Sequence, residues 1–483
     1  MKWTVWMTII VTLLSVLVGV YPSIAATATE EAPNRQVELA AQTFCDALFA
    51  GELEALRPQL NERMSAALTP EVISQILASL EVAMGKFVAT RAARWEATES
   101  GNRRYRIPIE FERGLHDMLL VRDVDGKVAG LFFVAHEAIE GEAPANIQAK
   151  RPQLPKGPFP YREEAVTYES GDVTLAGTLT VPEGAGPFPA LLLLSGSGAQ
   201  DRNSEIFGHR PFHLWADALT RAGIAVLRMD DRGVGGSSGN VSLSTTSDFA
   251  DDALVGVDFL VGRSDIADDF VGLMGHSEGG VVAPLAASRS EKVAFIILLA
   301  APAVPGHELM ALQMELFQRA AGINDATIQE SVEAHRALTA TVIEGGEAEQ
   351  IAAAMSRLKL AQGATEPATP AEVEGFLSPW MRFFLGHDPR PALREVEQPI
   401  LAINGSLDLQ VDAAQNLGAI RKATEGHADV TIHEIERLNH LLQVAERGTL
   451  EEYGEIEQTL SPEVIKLVKR WILSRFEDSQ LDR

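Results

Sequence analysis

Between residues 161 and 476, short apolar runs alternate with segments of helical periodicity. Runs such as Pro189-Ala190-Leu191-Leu192-Leu193-Leu194 and Phe270-Val271-Gly272-Leu273-Met274 have no polar face, the pattern of strands buried on both sides of a parallel sheet. Strands are predicted near 165–169, 174–181, 190–194, 224–229, 269–274, 293–299, 400–404 and 429–434, with helices alternating from about residue 213. That order gives an α/β three-layer sandwich around a mostly parallel eight-stranded sheet. Ser461-Pro462-Glu463 opens a last helix, with serine as cap and proline in the first turn, and Val464, Val468, Trp471 and Ile472 line one face.

Upstream, the pattern changes. Val37, Ala40, Ala41, Phe44, Leu48 and Phe49 repeat at helical spacing, and Val72, Ile76, Leu77 and Leu80 do so again. Strand-like runs follow at 105–111, 117–121 and 128–134. Residues 35–140 therefore read as a separate small α+β cone, two or three helices followed by an antiparallel meander. Five prolines among polar residues mark 141–160 as a linker.

Residues 304–392, between the sixth and seventh strands of the larger region, exceed what one crossover needs. They read as a helical cap, beginning with a helix over 308–321. Met310, Met314 and Phe317 share a helical stripe, and Trp380, Met381, Phe383 and Phe384 cluster near the end. Such a stripe can be the cap's own core. The sharper alternative makes Met310, Met314, Phe317 and Trp380 an adaptable pocket for an acyl or alcohol group.

Met1-Lys2, an apolar stretch over 3–20 and Pro22-Ser23-Ile24-Ala25-Ala26 describe a secretory signal over residues 1–26, cleaved after Ala25 or Ala26. An exported protein, periplasmic or secreted, is expected, with no stable membrane insertion once the signal is removed. The apolar stretch is long enough that an uncleaved membrane anchor is the alternative. Cys45 is the single cysteine, so no intramolecular disulfide can form; a buried, inert thiol on a helix face is expected. A formal net charge of −26 argues against nucleic acid and anionic membrane surfaces as partners. Neither metal-ligand spacing nor a phosphate-cradling glycine motif occurs, so no metal and no cofactor is expected.

The chemistry concentrates at Gly275-His276-Ser277-Glu278-Gly279-Gly280, a G-x-S-x-G sequence between an apolar strand and an Ala/Val-rich helix. A serine on such a turn has strained backbone angles, so its neighbours must be small, and its hydroxyl stands above the sheet at a helix N-terminus. A serine hydroxyl needs a base and an orienting acid. Asp408 follows the strand-like run 399–405, and His440 follows the run 430–435, in the order Ser, Asp, His. Asp412 is the alternative acid, although either aspartate could merely cap the helix that begins near Val411. His433 falls within a strand pattern, and His276 lies inside the elbow; both read as structural. The oxyanion hole calls for the N–H of Glu278 and one from Ser195-Gly196-Ser197-Gly198, Ser197 first and Gly198 as the near alternative. The Glu278 carboxylate could repel anionic substrates or hold a cationic group; equally it could brace the elbow helix through a salt bridge.

Five separated motifs in order carry a resemblance. They are Gly196 to Asn203, Asp230-Asp231-Arg232-Gly233-Val234-Gly235-Gly236-Ser237, the elbow, Asn404-Gly405-Ser406-Leu407-Asp408-Leu409-Gln410-Val411, and Leu438-Asn439-His440-Leu441-Leu442-Gln443 with Glu452-Tyr453-Gly454. Over about residues 161 to 476 the chain resembles bacterial carboxylesterases of the α/β-hydrolase superfamily, in the branch of dienelactone hydrolases and prolyl-oligopeptidase-type enzymes. The 35–140 region looks like the nuclear-transport-factor-like domain that precedes some of them, with a role in docking, dimerisation or shaping the active-site mouth. The resemblance implies a serine esterase acting on a small-molecule ester. Ser195 stands where many relatives carry a histidine, which puts the rigidity of that loop in doubt. A serine aminopeptidase or amidase is the second expectation, although those relatives usually carry a β-propeller and no blade-length repeat occurs here. A catalytically silent exported binding protein is the third. Oligomeric state leaves no mark on the sequence.

Overall fold

The computed structural model describes residues 35–52, 56–99, 102–112, 114–136 and 151–481. The expected signal segment 1–26 lies outside them. The chain forms two compact units, 1–150 and 151–483.

The first unit opens with helices α1 (Arg35–Phe49), α2 (Glu62–Ala67) and α3 (Pro70–Met84). Asn61 and Thr69 cap α2 and α3 by accepting the N–H groups of Met64 and Val72. Strands β1 (Phe87–Thr90), β2 (Arg94–Glu99), β3 (Asn102–Phe111), β4 (Gly114–Arg122) and β5 (Val128–Ala135) form an antiparallel sheet in which β1 and β2 both pair with β3. The three strands expected from the sequence coincide with β3, β4 and β5. The two shorter ones carry weak signals: β1 buries neither central residue, and half of β2 is charged. Tyr105, Ile107 and Ile109 pack with Phe44, Leu48 and Met118 in a core of their own. Cys45 is fully buried there, and burial, with Asp46 beside it, pushes its thiol well above the usual range.

The second unit carries an eight-stranded sheet. Its elements are, in order, β6 (Tyr161–Ser170), β7 (Val173–Pro182), β8 (Phe188–Leu194), α4 (Pro211–Thr220), β9 (Ala225–Met229), α5 (Thr246–Val261), β10 (Ile266–His276), α6 (Gly279–Ala287) and β11 (Phe295–Leu299). The insertion α7 (Gly306–Ala320), α8 (Asp325–Ile343), α9 (Ala348–Ala361), α10 (Pro370–Leu377), α11 (Pro379–Gly386) and α12 (Arg390–Glu395) follows. The chain ends with β12 (Ile400–Gly405), α13 (Ala413–Ala423), β13 (Val430–Ile435), α14 (Leu450–Glu455) and α15 (Pro462–Leu481).

The strand order is β13-β12-β11-β10-β8-β9-β7-β6, parallel except at β7, which runs against both neighbours. Alternate residues of the central strands enter two cores. Leu192, Leu273, Leu298 and Ala402 face α5, α6 and α13; Leu191, Leu193, Ile297 and Ile403 face α4 and α15. A strand apolar on both faces can only be satisfied by helices on both faces, which is why the runs lack polar alternation. The crossover from β8 leads to β9 on one side, and the next strand, β10, lies on the other. At such a reversal the loops after β8 and β10 diverge and leave a crevice at the strands' carboxyl ends.

Residues 151–160, read from sequence as linker, are tied to this unit. Arg151 donates to the carbonyl of Phe207 at 2.8 Å, and Gln153 bonds both the N–H and the carbonyl of Leu460. Among the described residues, no helix is long and apolar enough to cross a membrane.

Candidate active site

The loop after β10 holds Ser277 at φ +54°. A non-glycine residue there costs about 1–3 kcal/mol and persists only where its surroundings impose it. Ser277 N–H donates to the carbonyl of Leu299 at 2.9 Å, and its own carbonyl accepts Gly280 N–H at 2.8 Å. The glycines make this turn sterically possible. A Cβ on Gly275 would lie 1.9 Å from the carbonyl oxygen of Gly279, and one on Gly279 would lie 2.2 Å from that of Leu194. A Cβ on Gly280 would meet that of Ala301 at 2.2 Å.

Asp408 and His440 lie on the loops after β12 and β13, and both are buried. Asp408 Oδ1 accepts the N–H groups of Gln410 (2.9 Å) and Val411 (2.8 Å), which fixes the carboxylate. Its Oδ2 lies 2.9 Å from His440 Nδ1. An ionised carboxylate can only accept, so the proton is assigned to Nδ1 and Nε2 is left free to act as a base. Asp412 is engaged elsewhere, for its side chain accepts Gln415 N–H at 2.7 Å and caps α13. His433 sits within β13, opposite Ile403 of the neighbouring strand.

His276, the residue before Ser277, lies across from His440. Its Nε2 is 2.9 Å from the His440 carbonyl oxygen, and the two rings are 4.9 Å apart at 46°. A carbonyl only accepts, so His276 carries its proton on Nε2. Desolvation, with His440 nearby, pushes His276 down to about 3, so it stays neutral. The elbow and the histidine loop are thereby joined through the backbone.

The loop after β8 runs beside the serine: a Cβ on Gly196 would come within 3.2 Å of Ser277 Cβ. Among the described residues, neither the Glu278 N–H nor the Ser197 N–H donates to another protein group. Both are therefore available to an oxyanion; Gly198, with φ +99°, is the neighbouring position. The loop is not slack, in contrast to the expectation raised by Ser195. The Ser195 hydroxyl donates to Asp231 Oδ1 at 2.7 Å, and Gln200 N–H donates to Asp231 Oδ2 at 2.9 Å. Burial pushes Asp231 up to about 8, with Glu278 and Asp230 adding to it and the Ser195 and Gln200 bonds opposing. Asp230 in turn holds Arg202 N–H at 2.8 Å and Gly236 N–H at 3.0 Å. The Asp230-Asp231-Arg232-Gly233 motif is thus a brace for this loop.

The salt-bridge alternative for Glu278 does not hold: among the described residues no cation pairs with it. Its side chain is buried, and Oε1 accepts Thr246 Oγ1 at 2.6 Å and Trp380 Nε1 at 2.8 Å. Burial raises the carboxyl, opposed by the hydrogen bonds from Thr246 and Trp380 and by the nearby Ser197 hydroxyl. Trp380 stacks on Phe384 at 5.1 Å, whereas Met310, Met314 and Phe317 are buried along α7. The remaining motif residues secure the histidine loop. Asn439 is fully buried and accepts Leu441 N–H and Gln443 N–H at 3.1 and 3.0 Å, and Glu452 accepts three backbone N–H groups from 446 to 448. Sequence reasoning named Asp231 only within a motif, with no role, and did not single out Thr246. The paired aspartates after β9 and the Thr245-x-x-Asp248 capping box were visible, but neither says which loop it faces.

The sheet order, the strained serine after β10 and the acid and histidine after β12 and β13 define an α/β-hydrolase fold, and the chain is a hydrolase. A family model described as serine aminopeptidase, S33, matches residues 210–447. The chain is similar to esterase EstD of Thermotoga maritima, 27% identical over 435 residues that cover 89% of this chain and 94% of that protein. Among solved structures, it overlays on an esterase of Pyrococcus furiosus with TM-score 0.40 and 16% identity, covering 66% of this chain and 91% of that one. Ferulic acid-bound Est1E from Butyrivibrio proteoclasticus overlays with TM-score 0.40 and 15% identity, over 66% of this chain and 100% of that one.

Proposed function

We propose that this protein is a carboxylesterase that cleaves small to medium carboxylic esters through an acyl-enzyme. The observation that carries the reading is the Asp408–His440 hydrogen bond on loops that His276 ties to the strained Ser277. Ser277 Oγ attacks the ester carbonyl while His440 Nε2 takes its proton. The N–H groups of Glu278 and Ser197, or Gly198 in place of the latter, stabilise the oxyanion. On collapse the C–O bond to the alcohol breaks, and the His440 proton leaves with the alcohol. Water, deprotonated by His440, then attacks the acyl-serine, and Ser277 recovers its proton. Similarity to esterase EstD favours esters over amides.

The serine aminopeptidase family match keeps amide cleavage as a second reading. Hydrolysis of a p-nitrophenyl ester chain-length series beside aminoacyl-p-nitroanilides decides, with wild type and Ser277→Ala. Ester turnover that disappears in the variant supports the first reading. Anilide turnover without ester preference supports the second, and silence on both refutes each. The N-terminal pattern fits export; a mature protein still beginning at Met1 would contradict a cleaved signal.

A further inference from the structure

Glu278 occupies a singular position. Its backbone N–H is available to the oxyanion, and its side chain is buried. There Oε1 receives two donors at once: the Thr246 hydroxyl, in the first turn of α5, and the Trp380 indole N–H, in the first turn of the cap helix α11. Helix α11 packs against α5 and the short turn Val241–Leu243 at this place. Trp380 is itself held by its stack on Phe384, one turn along α11, and Ser378 caps that helix by accepting Met381 N–H. One carboxyl oxygen therefore joins the cap, the α5 layer and the elbow.

We propose that Glu278 is a positioning residue that couples the placement of the cap to the geometry of the oxyanion hole, with Trp380 as the cap's contact. The inference rests on the esterase reading above. Any displacement of α11 moves the Trp380 indole, and the shared acceptor transmits it to the residue whose N–H must meet the developing oxyanion. An oxyanion donor works only at hydrogen-bond distance from the position the charge will occupy, so a small shift is costly. The groups facing the carboxyl suit this role: the Thr246 and Ser197 hydroxyls, the Trp380 indole and the carboxyl of Asp231, none of them a cation. Burial shifts this carboxyl toward its neutral form, opposed by the donors around it. Oxygen Oε1 can accept both donors in that state, as can the amide oxygen of a glutamine.

The test combines kinetics with a readout that needs no substrate. Trp380→Phe and Glu278→Leu should each lower kcat on p-nitrophenyl acetate about tenfold or more, with KM little changed. The double variant should be no worse than the poorer single, because both cut one link. Glu278→Gln should recover most of the loss. In hydrogen exchange, Trp380→Phe should accelerate the amides of 277–281 as well as those of α11. Multiplicative losses, a change confined to KM, or elbow amides unmoved in Trp380→Phe would overturn the coupling. If Glu278→Leu fails to fold, Trp380→Phe alone carries the test, through kcat and through hydrogen exchange at 277–281. Wild-type enzyme that turns over no ester and leaves Ser277 unlabelled by a fluorophosphonate would instead refute the esterase reading; the exchange experiment would still decide the mechanical link.

Discussion

His276 donates its Nε2–H to the carbonyl oxygen of His440 across 2.9 Å, so the residue beside the nucleophile fixes the backbone of the base. Removing that bond lets the histidine loop relax away from Ser277. His276→Ala should therefore lower kcat about 10- to 100-fold, the scale of a small misplacement in a catalytic constellation. The acid limb of the pH–rate profile should keep its midpoint, because a group already pushed down to about 3 does not titrate there. A midpoint displaced in the variant would show that His276 takes part in proton transfer.

Asp408 and Asp412 differ in what they hold. Asp408→Asn leaves the loop's shape but presents the wrong tautomer partner to His440, so kcat should drop about 10⁴-fold. Asp412→Ala removes the cap of α13 and should cost about 1 kcal/mol in urea unfolding, with turnover retained. The reverse pattern would make Asp412 the catalytic acid.

Gly196 sits where a methyl group would press on the nucleophile. Its Cβ would lie 3.2 Å from Ser277 Cβ and 3.7 Å from Oγ, closer than ordinary packing on the first count. Gly196→Ala should fold with a near-normal melting temperature and lose about tenfold or more in kcat. Equal activity would mean that the loop yields without cost. At Gly275, by contrast, a Cβ 1.9 Å from a carbonyl oxygen leaves no way to fold around it.

Asp231 links stability to pH. Its folded value of about 8 lies above the ordinary aspartate value near 4, so the folded chain keeps a proton that the unfolded chain loses. Its contribution is complete below about pH 4 and is lost as pH rises toward 8. Across that window the melting temperature of wild type should fall relative to that of Asp231→Asn, whose amide does not ionise. A constant difference would mean that Asp231 titrates normally.

Glu452 carries the opposite sign. Burial alone would raise it, but the N–H groups of Glu446, Arg447 and Gly448 outweigh burial and hold it below the usual range. Its stabilisation is present above the unfolded value, near 4.3, and fades as pH falls through the folded value. Glu452→Gln, with one acceptor oxygen in place of two, should cost about 2 kcal/mol at pH 7. That cost should shrink in acid; a cost independent of pH would assign it to packing.

Much of this protein is written locally. Each of the eight expected strands of the second unit overlaps an observed one; β8, β11 and β12, buried on both faces, are apolar nearly throughout and announce themselves without their partners. The elbow is legible for a similar reason: Gly275, Gly279 and Gly280 are demanded by contacts within a few residues or with the adjoining strands. Asp408 and His440 stand out because each follows a strand in the order the chemistry needs. The first unit is less legible, since β1 and β2 are only 4 and 6 residues long.

What the tertiary structure alone decided is which distant groups meet. Ser195 and Asp231 are 36 residues apart, Glu278 and Trp380 102, and His276 and His440 164. No periodicity or spacing encodes such pairs, because each depends on how loops from different strands converge at one end of the sheet. Glu278 is the clearest case. Its place beside Ser277 is set by sequence, but its conversion from a surface charge into a buried acceptor joining cap and elbow required the cap to fold over it.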